Sequence, residues 1–208
     1  MSLSRLRDFV RSFAALLEQG GGEEAALRGG RRLLTDLIAH DDWLPDAYAQ
    51  PSPERYRQYL LHCDSAERFS VVSFVWGPGQ STPIHNHTVW GLVGVLRGAE
   101  LSERFEHAVP GGALIRGPVD RLDVGQVDAV SPLIGDIHKV SNAFDDRVSI
   151  SIHVYGANIG AVERSTFDES GRAKRFISGY ANTVLPNLWD LSATPAAAAD
   201  PVASRAAR

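Results

Sequence analysis

The first sixty residues and the rest of the chain follow different hydrophobic periods. Leu3, Leu6, Phe9, Val10, Phe13, Leu16 and Leu17 recur at three- and four-residue steps, which puts them on one face of a helix. The glycine run at 20–22 ends that pattern. Leu27, Leu33, Leu34, Leu37 and Ile38 form the apolar side of a second helix from about Glu23 to Ala39. A third, short helix is expected over Pro53 to Tyr59, with Pro51 and Pro53 near its start. The helical part is thus expected to occupy residues 1–62.

From residue 69 onward the segments become short, β-branched or alternating. FSVVSFVW, WGLVGVLRGAELSERF, RLDVGQVDAV, HKVSN and RVSISIHVY are separated by the turn signals GPGQ, VPGGA, SPLIGD and NAFDD. Strands of this length and spacing after a helical start predict a mainly β fold. They would form an antiparallel sandwich or barrel over about 69–180, with the helices packed outside. Arg164–Phe167 and Arg175–Tyr180 read as further extended pieces. The Ala/Pro/Arg-rich end, 191–208, reads as a loosely held tail. No repeat or linker divides residues 1–190, so one domain is expected there.

Composition narrows the function classes. The 208 residues are 44% apolar and carry a formal charge of -4 without a basic patch, which argues against a nucleic-acid partner. No apolar run approaches the roughly 20 residues of a membrane span, and the Arg-bearing amphipathic N-terminus lacks the apolar stretch of a secretion signal. The single cysteine, Cys63, permits no intrachain disulfide and suits a reducing, cytoplasmic setting.

Among the seven histidines, His85 and His87 are one residue apart in TPIHNHTVWG. On a strand, positions i and i+2 share a face, so both imidazoles would enter one cavity if that face lines a barrel. Imidazole nitrogen ligates zinc, iron, copper and nickel alike. His40, His62 and His107 fall in expected helix or loop and read as ordinary packing or surface histidines. A second polar row lies in RVSISIHVYG, where Ser149, Ser151, His153 and Tyr155 alternate with Ile150, Ile152 and Val154. Inside a barrel this row needs internal partners. Ser151, His153 and Tyr155 can supply them to one another, hydroxyl to imidazole to phenol. With no acidic group placed beside it, the row is not a hydrolase triad.

The spacing around these residues resembles a known pattern. Gly79, five residues, His85-x-His87, three residues, Gly91, six residues and Gly98 resemble the first cupin motif, with Gly91 where that motif has Glu. Gly135, two residues, His138, three residues and Asn142 resemble the second, with the family's proline displaced by one to Pro132. The resemblance implies a cupin, or double-stranded β-helix, with His85, His87 and His138 as a three-histidine metal site. Three neutral imidazoles without the carboxylate leave a divalent ion its full charge, which favours an anionic co-ligand such as a thiolate.

A cupin with this histidine set and a Ser-x-His-x-Tyr strand resembles the thiol dioxygenases of the cysteine dioxygenase family, from the helical start to about residue 180. That resemblance implies Fe(II) as cofactor, O2 and a small thiol as partners, and a sulfinate product. It makes His85, His87 and His138 the iron ligands, and Ser151, His153 and Tyr155 the catalytic row. Gly91 stands where the animal enzymes carry the cysteine that crosslinks to the tyrosine. Gln58, in Tyr56-Arg57-Gln58, replaces their carboxylate-gripping arginine. Both departures are similar to the bacterial Gln-type branch, which resembles 3-mercaptopropionate dioxygenase, and there Arg164 is the candidate carboxylate partner with Gln58 and Tyr56. L-Cysteine or cysteamine as substrate, a hydrolytic zinc site and a non-catalytic, small-acid-binding cupin stay open beside this reading.

Overall fold

The computed structural model describes residues 3–183; the tail at 191–208 lies outside them. Two helices, α1 (Ser4–Glu18) and α2 (Gly22–Ile38), open the fold. Gly21 and Gly22 both have left-handed φ, at 91° and 65°, so the turn between the helices uses a conformation that glycine adopts without strain.

Among the described residues eleven strands follow: β1 (Arg57–Cys63), β2 (Ser70–Trp76), β3 (Ile84–His85), β4 (Gly91–Arg97), β5 (Ala99–His107), β6 (Leu114–Asp123), β7 (Val127–Val130), β8 (Ile137–Asn142), β9 (Ser149–Tyr155), β10 (Arg164–Phe167) and β11 (Ala173–Phe176). They form two antiparallel sheets, one ordered β1-β2-β9-β4-β7 and the other β11-β10-β3-β8-β5-β6. The chain crosses repeatedly between the sheets, with a continuous strand pairing in each. This is the cupin double-stranded β-helix, mainly β with two helices at its N-terminal end.

The strands of the five-stranded sheet are apolar on both sides for different reasons. Val71, Val75, Leu92, Leu96, Ile150, Ile152 and Val154 face outward and join Phe13, Leu34, Leu37 and Ile38 of the helices in one core cluster. The alternate positions face inward, where Val72, Phe74, Trp76 and Tyr155 join Val140 in the cluster between the sheets. α2 lies close on β4, since a Cβ at Gly94 would come within 2.9 Å of Ile38 and 3.0 Å of Leu34.

The helix expected over Pro53–Tyr59 does not form, and the helical part ends well before residue 62. Asp46–Tyr48 makes a short 3-10 turn, and Arg57–Cys63 is strand β1, paired to β2 from Arg57↔Val75 to Cys63↔Ser70. The physical reason is burial on two sides: Leu60 enters the inner cluster, while Tyr59 and Leu61 pack towards the helices. That alternation has period two, and it is stabilised by pairing with a separate strand further along the chain. The free edge of β1 is strapped by the chain near its end. Asn182 bonds both Leu60 backbone groups, at 2.8 and 3.0 Å, and Ala181 N–H donates to the Gln58 carbonyl at 2.7 Å. His62 therefore lies on a strand, beside Phe69, and His107 closes β5.

Candidate metal centre

His85 and His138 are register partners of β3 and β8, and the chain leaving β3 carries His87 to the same point. The three rings stand 4.8–4.9 Å apart between centroids, and their ligating atoms all lie within 4.8 Å of one another. β3 ends at His85, so strand alternation alone does not bring His87 inward. Asp136 does: it accepts the backbone N–H of His87 and of Thr88, both at 2.9 Å. Thr88 sits at φ 61°, a costly conformation for a β-branched residue that these bonds hold in place.

Each imidazole is oriented through Nδ1. His85 Nδ1 faces the Pro83 carbonyl at 3.1 Å, His87 Nδ1 the Asp136 carboxylate at 3.0 Å, and His138 Nδ1 the Ser102 hydroxyl at 3.1 Å. That leaves three Nε2 atoms for a shared ligand, the outer bonding pattern that fixes metal-ligating histidines. Burial pushes all three imidazoles below their ordinary pKa; Arg164 adds to it at His85 and, against Asp136, at His87, while neighbouring rings add to it at His85 and His138. Neutral imidazoles keep the lone pair a metal needs. Burial alone would raise the Asp136 carboxyl; its bonds to His87 and Thr88 outweigh that and hold it below the ordinary range. The donor set thus fits a divalent metal ion.

The Ser151–His153–Tyr155 row of β9 faces this cluster. Ser151 Oγ is 2.7 Å from His153 Nε2, and His153 Nδ1 is 2.8 Å from the Tyr155 hydroxyl. Phe74 stacks on the His153 ring at 4.0 Å, and the Tyr155 ring stacks on His87 at 5.6 Å. Burial pushes the Tyr155 phenol well above its ordinary pKa and the His153 imidazole well below its own, so both are neutral near pH 7. Ser149, the fourth polar member, instead ties β9 to Ala99 and Asn142.

Gly91 is the register partner of Tyr155. A Cβ there would lie 2.8 Å from the phenol ring and 3.1 Å from Val130. The place where a motif carboxylate or a crosslinking cysteine would start is therefore filled by the tyrosine itself.

Arg164, on β10, is 4% exposed. Its Nη2 donates to Ser178 Oγ at 2.6 Å and its guanidinium lies over Phe176, while its Nε has no partner among the described residues. Burial works against its charge. Tyr56 packs its ring on Trp76 and Phe74. A cavity of about 390 Å³ lies alongside, lined by Tyr56, Gln58, Ser178 and Tyr180 among others; none of the three histidines lines it. Gln58 lies at this cavity and not at the cluster, and its amide N–H donates to the Gly179 carbonyl. Trp76 is buried between the sheets and donates to Ser151 Oγ at 3.2 Å. Trp90 instead packs against Phe13 of α1.

Asp136, Ser102 and Glu100 are absent from the sequence reading. Asp136 stands two residues before His138 in a segment that reads as a turn, and a carboxylate so placed is the one signal available. Ser102 and Glu100 alternate with Leu101 on β5, but their partners come from β8, β2 and β9. Glu100 also corrects the expectation that no acidic group accompanies the Ser-His-Tyr row, since its buried carboxyl stands beside Ser151 and Trp76.

No family model matches the chain. Among solved structures it is similar to a double-stranded β-helix protein of Klebsiella pneumoniae, at 18% identity and a TM-score of 0.44, over 67% of this chain and 98% of that one. It is also similar to a cupin 2 domain-containing protein of Halorhodospira halophila, at 16% identity and TM-score 0.41, over 66% and 79% of the two chains. An oxalate oxidase in complex with glycolate gives 14% identity and TM-score 0.43, over 67% and 63%.

Proposed function

We propose that this protein is a mononuclear Fe(II) thiol dioxygenase that converts a small thiol carboxylate to its sulfinate, with 3-mercaptopropionate the favoured substrate. The observation that carries the reading is Arg164: a buried guanidinium with an unpartnered Nε, no carboxylate bound to it among the described residues, beside three neutral imidazoles. A buried cation without a counter-ion is costly. A substrate with a carboxylate for Arg164 and a thiolate for the metal side supplies both missing charges.

His85, His87 and His138 would hold the iron, which would supply the oxygen chemistry for adding both atoms of O2 to the thiolate sulfur. The protein's own residues do the rest. Arg164 binds and orients the carboxylate, with Tyr56 beside it. Tyr155 presents its hydroxyl to the reacting groups and is held there by His153 and Ser151. Phe74, Trp76 and Val140 keep the interior dry, which strengthens each of these polar contacts.

The preference against L-cysteine has a charge argument. Its ammonium would enter a space that already holds the Arg164 cation, and Asp136 is committed to His87 and Thr88. Cysteamine keeps that ammonium and lacks the carboxylate. A cytoplasmic setting belongs to the same reading: the lone Cys63 is buried, with its thiol pKa pushed up to about 12.

The test is oxygen consumption by the iron-loaded protein with 3-mercaptopropionate, L-cysteine and cysteamine in parallel. The expected order of kcat/KM is as written. A preference for cysteine would overturn the substrate, and no uptake with any thiol, together with tight zinc binding, would overturn the reaction.

A further inference from the structure

Glu100 plays no part in the reading above. It lies on β5, 1% exposed, with Ser151 and Trp76 as its polar neighbours, and among the described residues its Oε1 has no hydrogen-bond partner. Isolated buried carboxylates are rare because ionisation without a counter-charge is expensive. Here the carboxyl stands beside Ser151, the first member of the hydrogen-bonded row Ser151, His153 and Tyr155, the last ring stacked on His87.

Such a chain has a direction. A neutral imidazole carries one N–H, so His153 donates at one end and accepts at the other. With Glu100 ionised, Ser151 donates to the carboxylate, His153 Nε2–H donates to Ser151, and the Tyr155 hydroxyl donates to His153 Nδ1. With Glu100 protonated, every donor reverses. Glu100 donates to Ser151, Ser151 donates to Nε2, and His153 Nδ1–H donates to the phenol oxygen. The Tyr155 proton is then free to point at the three histidines.

We propose that Glu100 is the fourth member of this relay and a positioning residue, whose protonation state sets the direction of every hydrogen bond in it and so decides where the Tyr155 hydroxyl proton points. The two states differ by one proton. A proton taken up at the phenol oxygen displaces the phenol's own to Nδ1, the Nε2 proton to Ser151 and the Ser151 proton to Glu100. On the thiol reading this is where the proton lost by a binding thiol would go; the relay itself requires neither thiol nor metal.

The surroundings let the carboxyl change state near neutrality. Burial pushes its pKa up to about 7, against the opposing bonds from Ser151 and Trp76. β2 turns Trp76 towards it, and β6 pairs Leu122 against it. On β8, its register partner is Asn142, with His138 further along. β9 contributes His153 and Tyr155. No arginine or lysine contributes to the shift.

The experiment is nitrogen-15 NMR of His153 in the metal-free protein from about pH 5 to about pH 9, with the signal assigned by its absence in His153→Gln. The expected result is the Nδ1–H tautomer at low pH and Nε2–H at high pH, with one transition near neutrality. The transition should persist in Glu100→Asp and vanish in Glu100→Gln and Ser151→Ala. A single tautomer across the range in the unmodified protein would overturn the inference. So would a transition that survives in Ser151→Ala, a variant that also decides the matter if Glu100→Gln fails to fold. Because no substrate or metal is present, this outcome is independent of the oxygen-uptake test.

Discussion

Asp136 is one side chain that serves two needs, holding the strained Thr88 backbone and fixing the His87 ring. Replacing it with Asn keeps the shape and weakens the bond to Nδ1. Metal affinity should fall about 10–100-fold, read by calorimetric titration under anaerobic conditions, while His87→Ala should lose the metal altogether. Tyr155→Phe should keep the metal and lower turnover; unchanged turnover would remove the phenol from the chemistry. At this scale the sequence displayed the residue types and hid their surroundings. His85-x-His87 and Ser151-x-His153-x-Tyr155 are visible as spacings, because a strand repeats every two residues. The burial of Arg164 and the filling of position 91 by the Tyr155 ring are not, because both depend on strands far apart in the chain.

β9 is the element on which the site depends. One face, Ile150, Ile152 and Val154, packs under the helices, and the other presents the relay. The helices act as the lid on that outer face, so weakening them should loosen the relay indirectly. Leu34, fully buried on α2, contacts the sheet at Gly94. Leu34→Ala should cost about 2–5 kcal/mol, measured by urea unfolding, with the metal site retained in the folded fraction. The period changes along the sequence made both helices and most strands legible. β1 was not, since RYRQYLLHC satisfies either period locally and only its pairing with β2 and its strap at Ala181 and Asn182 decide for the strand.

Across the whole molecule, stability should follow the site's occupancy and charge. Metal that binds the folded chain alone stabilises it by about 2.7 kcal/mol at a concentration 100 times Kd. Thermal unfolding should shift upward on adding Fe(II) or Zn(II), and the shift should disappear in His138→Ala. Glu100 adds a pH term of definite sign. Its folded pKa of about 7 exceeds the ordinary 4.5, so the folded state holds its proton more tightly. That contribution is complete below about 4.5 and is lost as pH rises to about 7. Urea midpoints for the metal-free protein and Glu100→Gln should therefore diverge with rising pH, the variant gaining on the parent; parallel curves would count against a protonated Glu100. Among the described residues no helix is long and apolar enough to cross a membrane.

By itself the sequence determined the features that local spacing can encode: two amphipathic helices, a run of short strands, three histidines in cupin register and a hydroxyl-imidazole-phenol row. The tertiary structure alone decided which of these are dry, which are charged and which are joined. Asp136 meets His87 across 49 residues, Ser102 meets His138 across 36, and Glu100 reaches the relay from a strand of the opposite sheet. Burial and hydrogen bonding between distant strands set protonation and direction, and no periodicity along the chain carries that information.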